Sequence, residues 1–318
     1  MDTGYQPQKN NLPTLSVVVP SYNQAQYLEE TLLSIIGQGY PGLELIVIDG
    51  GSTDGSVDIL RKYDSRIAYW VSEPDRGQSH AINKGLEKAT GEWVAWMNSD
   101  DCYLPNTLVK FFQDTDHRQY DFMHGLCSSG ESIQNRKFRQ INRNAKRNAF
   151  GVLRFFMGTE FIIPSQSAFV RRSILKQVGL LTEHLNWVMD MDWFARIMLF
   201  TQYRRRYYYN YTICFYRKHP LTKTYNNHDK VYAEACGVAL KYAPNLPGLQ
   251  GYYLRKLVNS NRNFRECFAH CNNIWAWVVL VIKFPLHARY SIGFWARLKQ
   301  LCRELVGLPA FSDQNTTK

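Results

Sequence analysis

The sequence predicts an α/β fold built on a mostly parallel, Rossmann-like central sheet with flanking helices. Three observations carry that prediction. Apolar strand-like runs alternate with helix-patterned segments through the first hundred residues. The runs are nearly continuous in apolar residues, as in strands buried on both faces. Each is followed by a Pro- or Asp-bearing turn at the carboxyl end, where open α/β sheets bind ligands.

The first unit is Leu15-Ser16-Val17-Val18-Val19-Pro20, a β-branched run that stops at Pro20, then Ser21-Tyr22-Asn23 and a helical pattern from Ala25 to Gly37. The second is Leu43 to Ile48, ending at Asp49 and passing through Gly50-Gly51-Ser52-Thr53-Asp54-Gly55 into the helix-patterned Ser56 to Tyr63. Ser52, Thr53 and Asp54 are all good N-cap residues, so Asp54 is expected to cap that helix. The third strand, Ile67 to Val71, precedes Glu73-Pro74-Asp75-Arg76-Gly77-Gln78 and a helix from Ser79 to Lys88. The fourth, Trp93 to Met97, runs into Asn98-Ser99-Asp100-Asp101.

Two adjacent carboxylates after an apolar strand repel one another and resist desolvation unless something cationic faces them. They are hard oxygen ligands suited to Mg²⁺ or Mn²⁺ carrying a diphosphate. Taken alone, the same residues also suit a solvated turn.

The blocks PSYNQAQYLEETLLSIIGQGYPGLELIVIDGGSTDGS and SEPDRGQSHAINKGLEKATGEWVAWMNSDD, in this order and spacing, resemble a family 2 glycosyltransferase of the GT-A fold over roughly residues 14 to 220. The resemblance implies an inverting enzyme that moves a sugar from a nucleotide-diphosphate sugar to an acceptor hydroxyl with Mn²⁺ or Mg²⁺. At the matching positions it implies a nucleoside pocket lined by Pro20, Ser21 and Tyr22. There Asp49 would accept the imide N–H of uracil or thymine, favouring UDP- or dTDP-sugars. Arg76 would meet the diphosphate, and Asn83 would orient the carboxylates. Asp100 would lie nearest the ribose and metal, with Asp101 on the metal. The family's metal motif often reads Asp-x-Asp-Asp, and Asn98 leaves its leading carboxylate absent.

In the second half the resemblance implies acceptor recognition and the general base. Asn186 to Arg196 carries two acids ahead of an amphipathic helix. The family opens this helix with Glu-Asp; here Met189 replaces the Glu, and Asp190 falls on the position of the base. Asp192 is the runner-up, with the alternative role of a first-turn carboxylate complementing the helix dipole. Gln166, in Pro164 to Phe169, would contact a sugar hydroxyl. Arg217 and His219, in Tyr216 to Thr222, fall on a loop that folds over the diphosphate. Arg217 is assigned there to the donor-sugar or acceptor side, and His219 to the metal or a phosphate.

The expected organisation is a catalytic domain over 1–245, its nucleotide half about 14–126 and its acceptor half about 127–225, then a helical basic and aromatic extension over 246–318. The 38 Lys and Arg against 27 Asp and Glu give a formal charge of +11. The excess gathers between Gln134 and Phe150 and after Arg255. Nucleic acid is not the expected partner, because no nucleic-acid motif is present and a carboxylate-lined crevice repels phosphate without a metal. An anionic membrane surface suits the charge better.

Ile274 to Ile282 is a nine-residue apolar run, short of the roughly 20 residues that span a bilayer. Beyond it Ile292, Trp295, Leu298, Leu301, Cys302 and Leu305 share one helical face opposite Arg297, Lys299, Gln300 and Arg303. An interfacial helix and a packed or oligomer-forming helix both fit that pattern. The 7 cysteines lack metal-site or Cys-x-x-Cys spacing and are expected to be reduced thiols. No charged-then-apolar leader opens the sequence, so the cytoplasmic side is expected, with a glycan or lipid-linked acceptor. Two other classes stay open. A sugar-phosphate nucleotidyltransferase would want a glycine- and arginine-rich loop where Ser21-Tyr22-Asn23-Gln24 stands. A non-catalytic basic module would need neither the carboxylate pair nor Asp190.

Overall fold

The computed structural model describes residues 12–135, 137–138, 152–153, 163–201, 205–220, 222–223, 227–256 and 258–259. The first half follows the expected alternation. Strands β1 (Leu15–Ser21), β2 (Leu43–Asp49), β3 (Tyr69–Ser72) and β4 (Trp93–Trp96) pair in parallel in the order β3-β2-β1-β4. Helices α1 (Ala25–Ile36), α2 (Ser56–Lys62) and α3 (Gln78–Lys88) are the crossovers. Side chains of β1 alternate between two apolar layers: Leu15, Val17 and Val19 meet Leu28, Leu32 and Ile35 of α1, while Val18 lies with Ala81, Ile82 and Leu86 of α3. Burial on both faces explains why the run is apolar throughout. A Cβ at Gly85 would overlap the methyls of Val18, so α3 rests directly on β1.

The second half makes the sheet mixed. Strand β8 (Ala168–Arg171) lies antiparallel beside β4, and β6 (Phe122–Gly130) antiparallel beside β8. The long β9 (Arg206–Arg217) pairs in parallel with β6, and β7 (Lys137–Phe138) pairs antiparallel with β6. Strand β5 (Cys102–Tyr103), directly after the two aspartates, pairs with Phe215 and Cys214 on the far side of β9. The sheet therefore curls, and the end of β9 arrives at the turn that closes β4.

Helix α4 (Thr107–Gln113) packs under β9 with the α1 layer. On the other face lie α5 (Leu175–Val178), α6 (Met189–Phe200) and α7 (His228–Tyr242). Leu246, Leu254 and Val258 are buried in the same layer, so the chain just past 245 still packs on the catalytic core. No helix among the described residues is long and apolar enough to cross a membrane. The tryptophan-rich segment from Ile274 onward and most of the basic stretch between Gln134 and Phe150 lie outside the described residues.

Candidate active site

The turn after β4 is held from several directions. The Thr31 hydroxyl lies 2.9 Å from the carbonyl of Ser99 and 2.8 Å from that of Asp101, anchoring the turn to α1. Asp101 is fully buried. Its Oδ1 accepts the backbone N–H of Arg217 at 2.8 Å, and its Oδ2 accepts the amides of Gln166 at 2.6 Å and Asn98 at 3.0 Å. Burial, with the neighbouring charge of Asp100, still pushes its carboxyl well above the usual range. Asn98, where the family often has a third acid, donates a hydrogen bond that a carboxylate could not. Its own carbonyl accepts from Gln78 at 2.9 Å.

Asp101 is thus turned into protein donors instead of toward a ligand, and the expectation that it sits on the metal is corrected to a core of the turn. Gln166 is corrected with it: its amide is on Asp101, and the side chain is buried.

Asp100 faces outward by comparison. Its Oδ2 is 3.0 Å from Nε2 of His219, whose Nδ1 is buried without a partner. Arg217 is nearly buried, donating to the Asp100 carbonyl at 2.9 Å and to Glu30 at 2.5 Å. The Tyr27 ring lies 4.9 Å from both the Arg217 guanidinium and the His219 ring. The structure brings Asp100, Arg217 and His219 together, and sets Arg217 among Tyr27, Glu30 and Phe215 and not in an open sugar subsite. Tyr27, Glu30 and Thr31 were missed in the sequence. For Tyr27 and Thr31 the signal was a polar stripe on an otherwise apolar helix face, continued by Ser34 and spaced by helical turns; Glu30 lies off it.

The crevice at the ends of β1 to β3 is laced by its loops. Asp49 is buried; its Oδ2 takes the N–H groups of Gly51 and Ser52 and the Ser72 hydroxyl, while Oδ1 takes the Ser52 hydroxyl at 2.6 Å. A carboxylate offers about four acceptor sites, two per oxygen, so Oδ1 keeps one. Asp54 caps two helices: Oδ2 accepts the Ala25 N–H at 2.8 Å, and Oδ1 takes the N–H and hydroxyl of Ser56. Pro20 is buried, whereas Tyr22 is 62% exposed and its ring lines the approach to Gly50 opposite Asp75. The Ser21 hydroxyl and the side-chain Oε1 of Gln24 are buried with no partner among the described residues. Orphaned polar atoms at a sheet's carboxyl end are what a polar ligand would satisfy.

One expectation on α3 is corrected. Asn83 does not touch the carboxylates of the turn: its amide donates to the Leu181 carbonyl at 2.9 Å and accepts the Leu181 N–H at 2.9 Å. It ties α3 to the loop before α6. Arg76 is exposed and pairs with Glu183 of that loop at 2.6 Å.

These ties, with Ser79 on the Leu185 carbonyl and Trp96 against Trp193 and Phe194, bring the opening of α6 to the end of the sheet that carries Asn98 to Asp101. The two acids of α6 then part company. Asp192 is fully buried and accepts from Thr182 at 2.8 Å, Arg196 at 2.9 Å, Tyr242 at 2.9 Å and Lys241 at 3.2 Å. Burial would raise its carboxyl, but these donors hold it below the usual range. The reading of Asp192 as runner-up base, or as a residue of the acceptor and donor-sugar side, is corrected to an internal hub. Asp190 is part-exposed and, among the described residues, accepts the Met191 N–H at 2.7 Å and pairs with no cation. Burial, joined by the charge of Glu234, pushes it up to about 6 against that hydrogen bond.

A curled mixed sheet, a carboxylate turn at its crevice and a free carboxylate opening a facing helix together define a GT-A glycosyltransferase architecture. The family model described as glycosyl transferase family 2 matches residues 16–179, and the chain belongs to that family. It is 43% identical over 101 residues to TuaG of Bacillus subtilis (strain 168), named as a teichuronic acid biosynthesis glycosyltransferase, covering 31% of this chain and 40% of TuaG. An uncharacterized glycosyltransferase of Rickettsia typhi is 26% identical over 206 residues, 62% of each protein. The chain therefore spans less than two thirds of the length of these curated relatives. Among solved structures, S. aureus TarS with UDP-GlcNAc is similar at a TM-score of 0.61 and 19% identity, covering 92% of this chain and 87% of that one. The mannosyltransferase PcManGT of Pyrobaculum calidifontis, in complex with GDP-Man and Mn²⁺, gives 0.58 and 20%, covering 95% and 83%. At such identities the likeness is one of fold.

Proposed function

We propose that this glycosyltransferase is an inverting enzyme that transfers a sugar from a UDP- or dTDP-sugar to a hydroxyl of a glycan or lipid-linked acceptor, with Asp190 as general base. The observation that carries it is the contrast on α6: Asp192 is consumed by four donors, while Asp190 is open, uncompensated and more basic than an ordinary carboxylate. Asp190 takes the acceptor proton as that oxygen forms its bond to the anomeric carbon. The bond from that carbon to the diphosphate oxygen breaks, and its electron pair leaves with the nucleoside diphosphate. One base opposite the leaving group suffices for inversion.

Asp100 would hold a divalent cation such as Mg²⁺ or Mn²⁺ through its carboxylate, and His219, which now meets Asp100 Oδ2 through Nε2, would be a second donor suited to Mn²⁺ rather than Mg²⁺ on letting that contact go. Asp101 does not fit without giving up its donors. No cluster of three or more His, Cys, Asp or Glu residues arranged to hold a metal occurs among the described residues. When bound, such an ion neutralises the charge that develops on the leaving group.

The buried, unpartnered Ser21 hydroxyl and the spare lone pair of Asp49 are proposed to receive the nucleoside, Tyr22 to cover it, and Arg76 to reach the diphosphate on releasing Glu183. Calorimetry with UDP, dTDP and GDP tests this. UDP or dTDP is expected to bind with Mn²⁺ and to lose most of its affinity in chelator. Equal affinity with chelator would remove the metal, and equal affinity for GDP would remove the Asp49 contact.

The basic excess and the tryptophans of the region after 270 support placement on the cytoplasmic face of a membrane, where a lipid-linked acceptor would lie. Flotation with anionic vesicles at low salt is expected to carry the protein upward. Failure to float would favour a soluble acceptor.

A further inference from the structure

Helix α7 holds the opening of α6 at two points, one on each side of Asp190. At its carboxyl end Lys241 and Tyr242 grip Asp192. Nearer its start, Glu234 Oε1 accepts the N–H of Asn186 at 2.8 Å, and Oε2 accepts those of Trp187 at 2.6 Å and Val188 at 2.9 Å. Three successive backbone donors on one carboxylate fix the path of the chain into the residue before α6 begins. Asp190 follows two residues later. We propose that Glu234 is a positioning residue for the reaction: it sets where Asp190 stands and adds a negative charge close to it, in the region where the family's own acid before the base is replaced by Met189.

This rests on Asp190 being the base. Glu234 lies some 45 residues downstream on another helix, so no local motif carries it. Among the described residues its carboxylate accepts hydrogen bonds from the backbone N–H groups of Asn186, Trp187 and Val188, the segment leading to the base. The other charges around the α6 opening are engaged elsewhere. Arg196 and Lys241 are on Asp192, Arg76 and Glu183 pair with each other, and Lys230 lies over the Trp187 ring at 5.9 Å; Lys223, over the same ring at 5.5 Å, is the exception, since its ammonium also feels the Glu234 carboxylate. Glu234 is thus the charge expected to act on Asp190 most directly.

The test compares Glu234→Gln, Glu234→Asp and Asp190→Asn in the full-length protein. It reads hydrolysis of the best substrate among UDP-glucose, UDP-galactose and UDP-GlcNAc with Mn²⁺, alongside calorimetry with UDP. Glu234→Gln should lower kcat by roughly tenfold to 10²-fold, the scale of a small misplacement of a catalytic group, with UDP affinity unchanged. The acidic limb of its kcat profile should move down by about half a unit once the neighbouring charge is gone. Glu234→Asp, which keeps the charge on a shorter arm, should hold the limb near its original place while kcat still falls. If Glu234→Gln keeps full kcat and an unmoved limb while Asp190→Asn is dead, Glu234 does not position the base. A fall in kcat that tracks a lost melting temperature, with the limb unmoved in both Glu234 variants, would make it a structural cap alone. Full activity in Asp190→Asn would instead remove the base assignment itself.

Discussion

Replacing Asp190 by asparagine is expected to lower turnover by about 10²-fold or more, the size of a general-base effect, while UDP affinity and melting temperature stay as they were. The two unchanged quantities follow from the geometry. Asp190 has one hydrogen bond, to the Met191 N–H, which an asparagine oxygen can also accept, and it is not among the side chains at the nucleoside crevice or the carboxylate turn. The wild-type pH profile is part of the same expectation. A base works deprotonated, and Asp190 is pushed up to about 6 by burial, so kcat should fall as pH drops through about 6 and stay level above it. An ordinary exposed carboxylate would hold activity to near pH 4. Steady-state hydrolysis from pH 4.5 to 8.5, with binding measured in parallel, checks both parts. A profile flat to pH 5, or turnover retained in Asp190→Asn, would remove Asp190 from the reaction.

The parallel half of the fold was legible because burial on both faces writes itself into unbroken apolar runs: β1, β2 and β4 begin where Leu15, Leu43 and Trp93 begin in the sequence. The second half was not. Strand β9 looks like an aromatic run with no periodicity of its own, and its pairing with β6 on one side and the two-residue β5 on the other is a long-range choice that no local pattern encodes. That pairing decides the site. Arg217 lies beside Asp101 because Cys102 and Tyr103 are bonded to Phe215 and Cys214, so a turn that looked like an open metal motif is in part an internal network. Asp100, His219 and Asp190 were picked out in the sequence by the blocks that resemble the family, since an Asp in a turn or a first helical turn is ordinary by itself. Gln166, Asn83 and Asp192 look just as functional in one dimension. Only their partners, Asp101, Leu181 and the quartet of Thr182, Arg196, Lys241 and Tyr242, show that their polar atoms are spent inside the protein. Glu234 was invisible for the opposite reason, being an ordinary acid on an amphipathic helix until the three N–H groups it accepts are known.

Asp192→Ala is expected to be the most destabilising single change at this site, by about 3 kcal/mol, because removing one member of a buried ion pair leaves the remaining groups without compensation. The magnitude stays near the lower end of that range for a structural reason. Arg196 keeps the carbonyls of Val178 and Leu180, and Lys241 is about half exposed and can turn to water. The Thr182 hydroxyl loses its acceptor, the Tyr242 hydroxyl is left with the neighbouring Lys241, and α7 loses its grip on α6 at this end. Asp192→Asn retains an acceptor for Tyr242 or Thr182 and should lose less, but the charge that balances Arg196 is gone in both. The sign with pH follows from the direction of the shift. Asp192 is held below the usual range in the folded protein, so its stabilisation is fully present above the unfolded carboxylate pKa of about 3.9 and is lost as pH falls below it toward the folded value. The difference in stability between wild type and Asp192→Ala should therefore be constant from pH 5 to 8 and shrink below pH 4. Urea unfolding followed by tryptophan fluorescence reads this directly, with Trp193 on the same helix as reporter. A loss under 1 kcal/mol would mean the four donors are solvated in solution. Turnover abolished in Asp192→Asn at wild-type stability, with Asp190→Asn active, would move the base two residues along α6 and reverse the assignment of the two acids.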